Sequence, residues 1–129
     1  MVTGLLFVGL LAAGQAQTLD ACNSTSLSTA AMQLCLGNEE SRRALALPAE
    51  SPERSQNFET AAAHYRRASL LGTSELQLRA LTALAITYDV ERLNNPTLRE
   101  GIIRELSLLV PTRSIMLILL RYPMQQDSR

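Results

Sequence analysis

LRALTALAITY, residues Leu78 to Tyr88, is the stretch on which the fold class turns. Its large side chains fall at Leu78, Leu81, Leu84 and Tyr88, with Ala80, Ala83 and Ala85 between them, and Arg79 is its only charge. Steps of three and four residues return to one face of a helix, whereas a strand would alternate. The small residues mark places where another helix comes close, while Leu and Tyr fill the gaps between helices.

On either side, punctuation divides the chain into further helices. Upstream, Ser28 caps a helix running through Leu34, Cys35 and Leu36 to Leu45 or Leu47, closed by Pro48. Its interior Gly37-Asn38 is a weak point, costing about 1 kcal/mol relative to Ala. SPER then places Ser51 at an N-cap, Pro52 at the first helical position and Glu53 near the positive end of the dipole. That helix continues through Phe58, Ala61, Ala62, Tyr65, Ala68 and Leu71, with Glu59, Arg66 and Arg67 on the face away from its Ala-Tyr-Ala stripe, and Gly72 ends it. Thr73 or Ser74 starts the helix containing the opening stretch, Ser74 and Gln77 having capping-box spacing, and it is expected to run to about Leu93. Downstream, Asn95 caps a helix with Pro96 at its first position and Ile102, Ile103, Leu106 and Leu109 inside, ended by Pro111. A short apolar piece, SIMLILLRY, stops before Pro123. No stretch alternates like a strand with a hairpin turn, so the chain is predicted to be all-α. Helices of this length with short turns should pack as antiparallel hairpins.

The first residues differ from the rest. MVTGLLFVGLLAAGQAQ holds an apolar run from Leu5 to Ala13, with Gly14 and Ala16 at the minus-three and minus-one places of a signal-peptidase site. Residues 1–16 are therefore read as a signal peptide, although no Lys or Arg precedes the run, and a buried helix is the alternative. The run is about half the roughly 20 apolar residues that a membrane span needs. Export to a periplasm or cell exterior would place Cys22 and Cys35 where pairing is expected. On one continuous helix their thirteen-residue separation would hold them roughly 20 Å apart. A bond therefore requires the NSTSLST segment to fold back, and two unpaired thiols remain the other possibility. Asn23-Ser24-Thr25 also fits an N-glycosylation acceptor, relevant only in a eukaryotic secretory pathway.

Composition excludes several functions. The 129 residues suffice for one modest domain, and at 47% hydrophobic they suffice for a core. Twelve basic residues, all Arg, balance twelve acidic ones, so the excess charge a nucleic-acid binder needs is missing. Exclusive use of Arg hints at a GC-rich bacterial genome. His64 is the sole histidine and has no Cys or carboxylate at metal-ligand spacing, so it reads as a structural or surface residue and no metal is expected. Glu39-Glu40 followed by Arg42-Arg43 reads as a solvated face with i,i+3 charge pairs rather than an acid/base couple. No Gly-rich phosphate loop or nucleophile elbow is present, and neither an enzyme nor a cofactor is expected.

The spacing within the helices resembles the tetratricopeptide repeat, a 34-residue helix-turn-helix. Leu81, Leu84, Ala85 and Tyr88 match the large, Leu, small and Tyr places of its first helix. Ala61, Tyr65 and Ala68 match the second helix of a preceding repeat, and ELSLLVP looks like the end of another, with Leu106 at the small-residue place and Pro111 at the closing proline. The match covers Phe58 to Pro111. It departs at the first repeat, where Pro48 and Pro52 interrupt the expected first helix, and at ERLNNP, which is about two residues too long. An unrelated bundle of helical hairpins is the alternative fold.

The resemblance implies a short α-solenoid of five or so helices after the signal helix: 1–16 signal peptide, 17–50 N-terminal helical segment, 51–111 repeat-like hairpins, and 112–129 an incomplete third repeat with a polar tail. It further implies a non-catalytic scaffold that receives a protein or peptide in a groove lined by Arg79, Thr82, Ile86 and Asp89. The six consecutive apolar residues Ile115 to Leu120 suggest self-association or a truncated array, since terminal repeats normally carry a polar outer face. The competing expectation is a small accessory protein that binds a membrane surface or hydrophobic ligand through that apolar segment.

Overall fold

A computed structural model describes Cys22 and residues 27–110. The segments read as signal peptide and as incomplete third repeat, with Ile115–Leu120 and the triplet at Asn23, lie outside the described residues. Apart from Cys22, the described chain forms four helices: α1, Thr29–Leu45; α2, Pro52–Leu71; α3, Ser74–Thr87; and α4, Pro96–Ser107. No strand occurs among the described residues, and the fold is all-α.

Each helix packs chiefly on its sequence neighbour, α1 on α2, α2 on α3 and α3 on α4, and α1 also touches α3. Two contacts fix the direction of α1 against α2. Arg54 at the start of α2 reaches the carbonyls of Ala44 and Leu47, both at 3.2 Å, at the end of α1. His64, ten residues on, meets Gln33 near the start of α1. The two helices are therefore antiparallel. Arg54 at the start of α2 also reaches the Glu91 carbonyl just before α4, while Arg66 further along α2 bonds Glu105 near the end of α4, so α2 and α4 point the same way, with α3 between them.

Capping chemistry explains two of the helix starts. The Ser28 hydroxyl accepts from the Ala31 N–H at 3.2 Å, and the Asn95 side chain accepts from the Leu98 N–H at 3.1 Å. At α3 the capping box does not form. Thr73, not Ser74, is the N-cap, it makes no side-chain cap bond, and the Gln77 N–H bonds the Thr73 carbonyl at 2.7 Å. Gly72 ends α2 for a different reason from the left-handed turn expected of a closing glycine. Its φ is −84°, and a Cβ there would lie 2.9 Å from both the Ala68 carbonyl oxygen and Leu76 Cβ. Close approach, not backbone freedom, selects the glycine.

α3 is also shorter than its sequence suggests. It stops at Thr87, and the chain reverses through Asn95, with Asn94 at φ 50°. The Leu93 N–H bonds the Thr87 carbonyl, the Asn94 N–H bonds Asp89, and the Asn95 N–H bonds Tyr88. No Gly or Pro marks this break. Asn94, whose residue type tolerates the left-handed region, turns the chain back toward α4.

The opening stretch lies at the centre of the molecule. Leu81, Leu84 and Ala85 are buried, as its spacing requires, but so are Ala80, Thr82, Ile86 and Thr87. A helix covered nearly all round is an interior helix rather than one with a groove-facing side. Two polar residues are tolerated there because their hydroxyls bond within the helix, Thr82 to the Leu78 carbonyl at 2.7 Å and Thr87 to Ala83 at 2.8 Å. Leu34 of α1, Tyr65 of α2 and Ile102 of α4 join α3 in one core.

Cys22 and Cys35 are joined by a disulfide, with their Cα atoms 5.3 Å apart. Residue 22 thus lies beside the middle of α1 rather than a helix-length before it. Cys22 is fully buried.

Candidate binding cleft

The α2 residues Glu59, Ala62, Ala63 and Arg66 recur at three- and four-residue steps and form one wall of a cleft. Tyr88 at the end of α3, Leu93 and Asn95 from the turn, and Leu98 in the first turn of α4 form the other. The volume is about 410 Å³, within the range of small-ligand and side-chain pockets. Ala62 and Ala63 keep the α2 wall low, which is what leaves the space open.

At one end of the cleft the Arg66 guanidinium donates to both carboxylate oxygens of Glu105, at 2.9 and 2.8 Å. This fork holds the Glu105 carboxyl below its ordinary range and raises Arg66, the hydrogen bond being the main cause for each. Arg66 is therefore committed. Glu59 is exposed and makes no ion pair among the described residues, so the uncommitted charge in the cleft is a single carboxylate. Asn95 uses its carbonyl oxygen on the Leu98 N–H, which leaves its amide donors for a ligand. An apolar floor with one carboxylate and one amide suits binding of an apolar or aliphatic-cationic group.

The four residues expected to line a groove do not share an open face. Arg79 is exposed on α3, Asp89 is half-buried 3.9 Å from the Arg99 Nε, and Thr82 and Ile86 are interior. His64 is half-buried between α1 and α2, its Nδ1 2.7 Å from Gln33 Oε1. Burial lowers its pKa, the nearby Arg67 lowers it further, and Glu40 opposes both. The i,i+3 pairs Glu39–Arg42 and Glu40–Arg43 form at 2.8 and 3.1 Å, but Glu39 itself is buried, not on a solvated face. Among the described residues no three His, Cys, Asp or Glu side chains gather as a metal site. Nor is any described helix long and apolar enough to cross a membrane.

Sequence reasoning also missed what Gly37-Asn38 does. Tyr65 sets its ring against Gly37 and donates to Asn38 Oδ1 at 2.8 Å, while Ser41 Oγ lies 3.1 Å from the same phenol oxygen. The signal was there: a glycine in mid-helix breaks a local rule and calls for a packing reason.

No protein-family model matches this sequence, and neither a curated protein nor a solved structure matches the chain.

Proposed function

We propose that the protein is an exported, non-catalytic helical module that holds a segment of another protein in the cleft between α2 and α4. The observation that carries this reading is the cleft itself: an apolar floor of Ala62, Ala63 and Leu98 beside the Glu59 carboxylate, which makes no ion pair among the described residues. The segment it fits presents an aliphatic side chain bearing a positive charge, whose stem covers the alanines while its head meets Glu59. The disulfide supports export, since such bonds persist in oxidising compartments. The sequential packing of α1 to α4 supports a repeat-like ancestry. Against it, α1 and α3 begin at Thr29 and Ser74, further apart than one 34-residue unit.

The test is site-specific photocrosslinking in the native host. A crosslinker at Leu98, in the cleft, should capture a partner that one at the exposed Arg79 does not. Ala63→Arg, which fills the cleft from an exposed position, should abolish the adduct while helicity is unchanged. Adducts from Arg79 alone, or adducts that survive Ala63→Arg, would move the site elsewhere.

A further inference from the structure

Tyr65 and Tyr88 use their hydroxyls differently. Tyr65 is buried, and its phenol oxygen is held at Asn38 and Ser41. Tyr88 is half-buried in the cleft wall, and its hydroxyl makes no hydrogen bond among the described residues. An enclosed phenol ordinarily finds a partner. The Tyr88 main chain is already occupied, its N–H bonding the Leu84 carbonyl at 3.2 Å and its carbonyl accepting from the Asn95 N–H at 3.0 Å. Its ring packs against the core, which holds the hydroxyl in place. Arg66 is raised first by its hydrogen bond to Glu105, and the Tyr88 phenol adds to this from across the cleft. The hydroxyl is therefore on the Arg66 side. Glu59 lies two turns earlier on α2, about 10 Å away along the axis.

The polar groups that the cleft offers divide unequally. Glu59 is a charged acceptor, whereas the Asn95 amide is a donor. Beside a guanidinium a hydroxyl turns its oxygen toward the positive charge and its proton away, so Tyr88 also faces the cleft as a donor. A ligand that fills the cleft must therefore bring one positive charge and, away from it, an acceptor. A free alkylamine brings the charge alone and leaves the donors dehydrated without partners. An anion brings acceptors but meets Glu59. A cationic residue within a peptide brings both, the charge at the tip of its stem and a main-chain carbonyl at the root. We propose that Tyr88 is a specificity-determining residue of the cleft, its hydroxyl donating to a main-chain carbonyl of the residue whose cationic head meets Glu59. The cleft thereby selects a residue in a peptide over a free amine with the same stem. This rests on the reading that the cleft takes a cationic side chain, and it adds the group that reads the backbone.

The test follows the amide resonances of Ala62, Ala63 and Leu98 in the full disulfide-bonded chain during titration with two probes. Nα-acetyl-lysine N-methylamide and n-butylamine share the four-carbon stem and the ammonium, and only the first carries main-chain carbonyls. The lysine derivative should bind about three- to tenfold tighter, the ratio that one hydrogen bond gives. Tyr88→Phe keeps the ring and should remove that preference, with butylamine affinity and the melting temperature unchanged. Glu59→Gln should weaken both probes alike. The loss on Tyr88→Phe is the decisive reading, because extra contact area alone would survive it. A preference that persists in Tyr88→Phe, or equal binding of the two probes to the native chain, overturns the proposal and leaves the cationic cleft standing. Binding of neither probe overturns the proposal together with the reading beneath it.

Discussion

A Cβ placed on Gly37 would lie 2.6 Å from Cε1 and 2.7 Å from Cδ1 of Tyr65. The glycine is the notch in α1 that admits the tyrosine of α2. The ring cannot retreat, because it is buried and its hydroxyl is held at Asn38 and Ser41. Gly37→Ala gains about 1 kcal/mol of helix propensity but forces an overlap that costs about 1–3 kcal/mol. The expected net result in chemical denaturation is lower stability. In a Tyr65→Leu background the same change should turn neutral or stabilising; an unchanged cost there would remove the notch as its cause.

Arg54 ties three segments together. One guanidinium nitrogen donates to the Ala44 and Leu47 carbonyls, the other to Glu91 at 3.5 Å, and the group stands 5.2 Å from the Phe58 ring centre. Arg54→Met should cost about 1.5–3 kcal/mol, the usual range for hydrogen bonds from a charged donor. Arg54→Lys should recover little, since a single ammonium cannot span carbonyls on both sides. Full recovery by lysine would show that charge alone matters.

Reducing the Cys22–Cys35 bond should lower stability by about 3 kcal/mol, the loop-closure value for a separation near the observed 13 residues. Thermal melts with and without reductant read this directly, and a reductant-insensitive midpoint would contradict it. Cys22 is fully buried, so Cys22→Ala should lose slightly more than reduction does.

Stability should rise with pH in two steps. His64 is held below its ordinary 6.5, chiefly by burial. Between its folded value and 6.5 the unfolded chain binds more protons, so stability is constant above 6.5 and declines as pH falls through the folded value. Glu105 is held below its ordinary 4.5, chiefly by the hydrogen bond from Arg66. Its contribution is complete above 4.5 and is lost as pH falls through its folded value. Both partners are over a third exposed, so this lower step should stay under about 1 kcal/mol. Denaturation midpoints across pH should lose the upper step in His64→Gln and the lower one in Arg66→Met. Persistence of either step in its variant would assign it to another group.

Much of the helical content was legible in the sequence. Caps and prolines at Ser28, Pro52, Asn95 and Pro96 act locally, through groups at the helix start itself, and the helices begin where they stand. Leu81, Leu84 and Ala85 are interior because periodicity reports one face reliably. The break at Thr87 was hidden, because no Gly or Pro stands there and the Asn94 that follows is weak punctuation. The cleft was hidden for another reason: Ala63 and Leu98 are ordinary surface residues until the fold brings the start of α4 across from α2.

LRALTALAITY determined by itself that it would be a helix with a buried stripe, since i, i+3 and i+4 contacts follow from backbone geometry. It could not determine what covers its other side. The burial of Thr82 and Ile86 was decided by the tertiary packing around α3, which also rests on long-range contacts such as Gly37–Tyr65 and Arg66–Glu105. Local chemistry sets which residues become helix, and only the meeting of helices distant in sequence sets which surfaces remain free to bind.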